Sequence, residues 1–265
     1  AKIREHLGLD RPLLTQFVRW LGQLATGDFG NSIYLERPVL GLIMERVEPT
    51  LALSVTTIIF AVVLAVPIGV LAAWRAGTWI DQTIMALSVL AFSVPVFLIG
   101  YGLVIGFSLT LELLPVQGFV SLAEDPGAFF RHLVLPTVAL GLVYTALIAR
   151  ITRATMLETL NEDFIRTARA KGAGQRNILF LHALKNAAVP IVTVIGIGIA
   201  LLIGGAVVTE SVFAIPGLGR LTVDAILRRD YPVIQGVVLL FSFVYVLVNL
   251  MIDVLYTILD PRIRY

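Results

Sequence analysis

Three histidines, no cysteine and one charged stretch between two apolar runs are what this 265-residue sequence offers for chemistry. His6, His132 and His182 lie far apart, and no HExxH or comparable spacing joins them into a metal site. Without cysteine, neither a disulfide framework nor a thiolate site is available. No glycine-rich phosphate loop ending in Gly-Lys-Ser or Gly-Lys-Thr is present, so nucleotide binding by that route is not expected. No Ser/His/Asp order has a supporting GxSxG element. These residues read as a non-enzyme whose work is conformational.

The charged stretch, 157–184, is the first landmark. Leu157, Leu160, Phe164, Ile165 and Ala168 fall at helical spacing and predict one helix with a narrow apolar face. Glu158, Glu162 and Asp163 stand toward its start, and Arg166, Arg169 and Lys171 toward its end, the order that complements the helix macrodipole. Gly172 and Gly174 should stop it. A second helical pattern with Ile178, Leu179 and Leu181 then runs toward Ala187. Such a helix is either a handle for another protein or a loop helix packed on its own neighbours.

What must position this stretch is a membrane domain. The chain is 58% hydrophobic and 14% charged, with a mean hydropathy of +0.91, which places it among integral membrane proteins. A net charge of +2 gives no reason to expect nucleic acid as a partner. Five apolar runs are each long enough for a bilayer: 50–73, 82–109, 132–151, 187–208 and 234–258. The third is expected to continue into water as a helix through Arg150 and Arg153. Pro67, Pro95 and Pro190 are expected to kink their helices. Gly196, Ala200 and Gly204 form a row of small residues that allows close approach of another helix, for packing within the chain, for the lining of a central path or for contact with a second membrane subunit. Asp253 and Glu210 stand near span ends, where both are expected to reach water.

With the C-terminus inside, the inner connections hold Arg75, Arg150, Arg153, Arg166, Arg169, Lys171, Arg176, Lys185, Arg262 and Arg264; the short outer ones hold Arg131, Arg220, Arg228 and Arg229. This excess puts 157–184 in the cytoplasm. Residues 1–49 then lie outside as an extracytoplasmic segment before a transmembrane domain of 50–265, and a sixth span is expected ahead of Ala1. Within 1–49, Leu13, Leu14, Phe17, Val18, Leu21 and Leu24 make an amphipathic helix after Pro12, suited to the membrane surface. A turn cluster, Gly27-Asp28-Phe29-Gly30-Asn31-Ser32, follows it.

Thr167-Ala168-Arg169-Ala170-Lys171-Gly172, followed by His182-Ala183-Leu184, resembles the cytoplasmic signature of permease subunits in bacterial ABC importers. In that signature a Glu-Ala-Ala triplet precedes a Gly and a later Ile-x-Leu-Pro. Ala168, Gly172 and Leu184 match, whereas Arg166, Thr167, His182 and Lys185 stand in place of Glu, Ala, Ile and Pro. The wording 163–172 is similar to the peptide and nickel branch. So are the Gly27–Ser32 element, the ending Leu259-Asp260-Pro261-Arg262-Ile263, and the outer loop 210–234 with Pro216, Gly217, Gly219, Arg220, Asp224 and Asp230.

The resemblance implies an all-α, type I importer permease fold of six spans, five of them visible here, in a bacterial inner membrane. It implies that the helix around Phe164 to Gly174 is a coupling helix seated in an ATPase subunit, contacted by Phe164, Ile165, Arg166, Ala168, Arg169, Lys171 and Gly172. Phe164 and Ile165 would insert as apolar anchors, and Arg166 and Arg169 would make electrostatic contacts. Implied partners are a homologous second permease, two ABC ATPase subunits that hold ATP and Mg, an extracytoplasmic substrate-binding protein and membrane lipid. No cofactor is expected in this chain, and the implied cargo is short peptides. Alternatives are a stand-alone channel or ion-coupled carrier, or an importer of nickel chelates or glutathione.

Overall fold

The computed structural model describes residues 12–259, and these fold as helices joined by turns. Helix α1 is Leu13–Ala25, α2 Val39–Trp74, α3 Trp79–Ser93 and α4 Val96–Leu103, which continues as a π-helix over Val104–Thr110. Then come α5 Pro126–Leu160, α6 Asp163–Ala170, α7 Gln175–Asn186 with π-helical turns at Ile178–Ala183, α8 Ala188–Val212, α9 Leu218–Arg228 and α10 Tyr231–Leu259. Of the expected family-like ending, Asp260-Pro261-Arg262-Ile263 lies outside the described residues, as do Arg264 and His6.

Helices stand on each of the five apolar runs, three as single long helices and two within bent pairs. Helices α2, α5 and α10 are long and apolar enough to cross a bilayer singly. The second run falls on a bent pair, α3 with α4 at 99°, and the fourth on α8, which meets the preceding α7 at 61°. The first break has a clear cause: Pro95 has no N–H and forces Val94 into extended backbone, φ −83° and ψ 126°. Pro190 instead sits in the first turn of α8, where its missing N–H costs nothing, and the chain bends before it at Ala187. Around Pro67, α2 stays continuous.

Two boundaries move. Helix α2 begins at Val39 and runs through Pro49, so the expected division at 49 falls inside a helix. The single helix expected across 157–171 is two, because α5 ends at Leu160 and the chain turns at Asn161 and Glu162 before α6.

Helix α5 is the central post. Leu133, Leu140, Tyr144, Ile148 and Ala149 pack with Leu53, Ala61 and Ala65 of α2, Leu202 and Ala206 of α8, and Phe213. A second cluster gathers at one end around Met156, Ile165 and Ile178, and a third at the other around Val39, Leu218 and Val237. The bundle therefore has two built ends. On the side of α8, a Cβ on Gly196 would lie 2.1 Å from Ile252 Cδ1, so this small residue serves packing within the chain.

Candidate functional site

At one end, α6 is held from within and presents a polar face. Ile165 is 0% exposed and packs with Val70 and Ala73 of α2, Met156 of α5, and Ile178, Leu179 and Ala183 of α7. Phe164 beside it is 42% exposed. Arg166, Arg169 and Lys171 are exposed, and Ala168 is half-buried. The two apolar residues expected to act together thus part company: Ile165 anchors the helix inside this chain, and Phe164 is left for an outside surface. The Arg166–Asp163 pair, 3.3 Å apart, is solvent-exposed and adds little to stability.

Gly172 ends α6 as expected. Its φ is +82°, its N–H donates to the Arg169 carbonyl at 3.0 Å, and the Ala173 N–H reaches the Ala168 carbonyl at 3.1 Å. This paired closure needs a left-handed residue, for which glycine carries no Cβ penalty. Just beyond, Phe180 and Leu181 are exposed although Ile178 and Leu179 are buried. Periodicity did not single out Phe180, since the π-helical turns of α7 shift its register.

An ion pair behind α6 also escaped the sequence. Arg153 Nε and Nη2 both donate to the Asp81 carboxylate, the second at 2.6 Å, and the Gly77 N–H adds a bond of 3.0 Å. Asp81 is buried at the start of α3, so this fork ties α3 to the end of α5 that leads into α6.

The other end is organised by carboxylates. Glu210 was expected to reach water, yet it is 0% exposed. Its Oε1 accepts from the Thr50 hydroxyl at 2.6 Å, and its Oε2 from the Arg220 N–H at 2.9 Å. The carboxylate lies at the N-terminus of α9, where unpaired amides and the macrodipole favour an anion. Thr50 in turn accepts the Leu218 N–H at 2.8 Å. The glycines of Pro216-Gly217-Leu218-Gly219-Arg220 follow from this arrangement. A Cβ on Gly217 would stand 2.2 Å from Glu210 Oε1, and one on Gly219 2.9 Å from Oε2.

Asp230 is the second buried carboxylate. It accepts from the Ser32 hydroxyl, from the Ile33 N–H at 3.1 Å and from the Tyr34 N–H at 3.4 Å. The turn cluster at 27–32 and the loop before α10 are therefore one structure. Gly30 closes the turn on Asp28 Oδ1 at 2.9 Å, and the Arg228 guanidinium lies 4.0 Å from the centre of the Tyr34 ring. Among the remaining loop residues, Pro216 is exposed and Asp224 half-buried on α9. Asp253, on α10, is exposed.

A bundle of membrane spans with a short, internally anchored helix at one end and a hydrogen-bonded cap at the other is the build of a membrane permease. Comparison with known proteins gives the particular family. Residues 65–265 match the family described as "Binding-protein-dependent transport system inner membrane component", and the chain belongs to it. It is 54% identical over 265 residues to the "Probable peptide ABC transporter permease protein y4tP" of Sinorhizobium fredii, an alignment covering 100% of this chain and 85% of that protein. It is 43% identical over 264 residues to the "Glutathione transport system permease protein GsiC" of Escherichia coli K12, covering 99% of this chain and 83% of that one. Among solved structures, a chain of the inward-facing MetNI methionine ABC transporter superposes with a TM-score of 0.69 at 21% identity, covering 83% of this chain and 97% of that chain. That likeness shows a shared fold. The chain is thus an inner-membrane permease subunit of an ABC importer, a class that works with ATPase and binding-protein partners.

Proposed function

We propose that this chain forms half of the translocation path of an ATP-driven importer of short peptides. A homologous permease completes the path, two ATPase subunits hold ATP and Mg on the cytoplasmic side, and a binding protein delivers cargo from outside. The chain itself carries out no chemistry. The end bearing α6 faces the cytoplasm, in keeping with the Lys and Arg distribution, and the Glu210 and Asp230 cap faces outward.

The observation that carries this reading is the division of labour at α6. Ile165 fixes the helix to α2, α5 and α7, so a push on Phe164, Arg166, Arg169 or Lys171 is delivered to the spans rather than absorbed by a loop. Closure of the ATPases on ATP moves α6, tilts the attached helices and opens the path outward; hydrolysis resets it. The ATPase must bind the two states with different affinity for this coupling to operate.

Peptide cargo is supported by the resemblance of 163–172 and 210–234 and by the name of the Sinorhizobium relative. The Escherichia coli relative makes glutathione the second reading. Uptake of labelled dipeptides and glutathione by cells expressing the complete system, with and without this chain, decides between them. Uptake of neither, despite correct assembly, would refute both cargoes.

A further inference from the structure

Helix α10 carries a pattern that none of the contacts above uses. Gln235, Ser242, Tyr245, Asn249, Asp253 and Tyr256 follow one another at intervals of seven, three, four, four and three residues. At about 100° per residue they share an arc of about 80° on one side of the helix. All are exposed except the half-buried Tyr256. Near the start of α10 the side opposite the stripe packs on the chain, with Val233 and Val237 buried; further along the contact reaches the stripe's edge, with Ile252 against Gly196 and the Tyr256 hydroxyl 2.7 Å from Thr193 Oγ1. On the other flank lie Phe243, Val246, Leu250 and Val254, all apolar and exposed, as a lipid-facing side should be.

The stripe is unsuited to lipid. Ser242 and Asn249 each donate one bond back along the helix, to the Val238 and Tyr245 carbonyls at 2.8 Å. The Asn249 side-chain carbonyl, the Tyr245 hydroxyl and the Asp253 carboxylate have no hydrogen-bond partner among the described residues. Hydrocarbon strongly disfavours each such group, and an ionisable one belongs against a protein interior or water. Apart from the exposed Val238 within its arc, the stripe runs most of the length of the span. Close helix contacts in membranes also use Ser and Asn, but they favour small residues, and this face projects the bulky Tyr245 midway along its length.

We infer that this face of α10 lines the aqueous route, with Tyr245 and Asn249 contacting the backbone amides of a passing peptide and Asp253 its terminal ammonium group. A peptide backbone presents donors and acceptors together, which an amide and a phenol can match in either sense. The inference rests on the peptide-import reading above.

The chain has no cysteine, so a single introduced thiol is unique within it. Ser242→Cys and Asn249→Cys are compared with Val246→Cys and Leu250→Cys in the complete complex, reconstituted in liposomes with its binding protein and treated with a membrane-impermeant charged thiosulfonate. The stripe thiols should react on the order of tenfold faster, since the reacting thiolate needs water, and a saturating dipeptide should slow them. Equal reactivity of the two sets, or stripe thiols that resist the reagent while crosslinking to the second permease, would overturn the inference and make the stripe a protein contact. Binding-protein-stimulated ATP hydrolysis in the same liposomes keeps the two readings apart. Its absence counts against the importer reading, whereas its presence with unreactive stripe thiols counts against the path assignment alone.

Discussion

The Thr50 hydroxyl donates to Glu210 Oε1 at 2.6 Å while accepting the Leu218 N–H at 2.8 Å, and so joins the first described span, the end of α8 and the start of α9 through one side chain. Replacing it by Val keeps the volume and leaves both a carboxylate oxygen and an amide without this partner. Thr50→Val should destabilise the folded chain by about 1–3 kcal/mol. Gly217→Ala should cost at least as much, because the added methyl group meets the carboxylate itself. Thermal unfolding of the purified complex, read on this chain, checks both; an unchanged midpoint in either variant would remove Glu210 from the framework.

Asp230 predicts a local effect at the outer cap. Asp230→Ala should release the Ser32 hydroxyl and the Ile33 and Tyr34 amides, so hydrogen exchange at 32–35 should accelerate while exchange in α5 stays unchanged. Unaltered protection at Ile33 and Tyr34 would show that the turn holds itself.

The Asp81–Arg153 fork should behave as a unit. Arg153→Ala leaves a buried carboxylate without its guanidinium and should cost about 3 kcal/mol or more, whereas Asp81→Asn combined with Arg153→Ala should recover part of that loss. A double-mutant cycle on unfolding measures the recovery. Strict additivity would mean that the pair contributes no coupling.

Helices α8 and α9 both close on left-handed residues that are not glycine, Ala214 with φ 50° and Arg229 with φ 56°. At the first, Ile215 N–H reaches the Glu210 carbonyl at 2.8 Å; at the second, Asp230 N–H reaches the Ala225 carbonyl at 2.9 Å. Ala214→Gly should therefore stabilise by about 1 kcal/mol, the steric penalty that glycine lacks. A lower unfolding midpoint would contradict this.

How much of this was legible in the sequence follows from the range of each interaction. The five apolar runs and the stop at Gly172 are local features, set by composition and by one residue's conformational freedom, and they stand where expected. The bend at Pro95 was legible as a kink, though its size was not. Periodicity did not tell Phe164 from Ile165, because adjacent apolar residues on a narrow face acquire their sides only when α2 and α7 close over one of them. The carboxylate sites were hidden for another reason. Ser32 meets Asp230 across 198 positions, and Thr50 meets Glu210 across 160, so only the assembled bundle brings them together. A sign was nevertheless present, in an ionisable residue at the end of an apolar run, followed closely by Gly217 and Gly219, which make room for it.

Coupling through α6 is the central claim, and Phe164→Asp tests it most directly. Phe164 is partly exposed, so the variant should fold and reach the membrane. Peptide uptake and binding-protein-stimulated ATP hydrolysis are then measured in liposomes containing the complete complex. The account predicts that both fall to background, with the ATPase subunits lost from or loosely held by the purified complex. Uptake equal to that of the unaltered protein would contradict it.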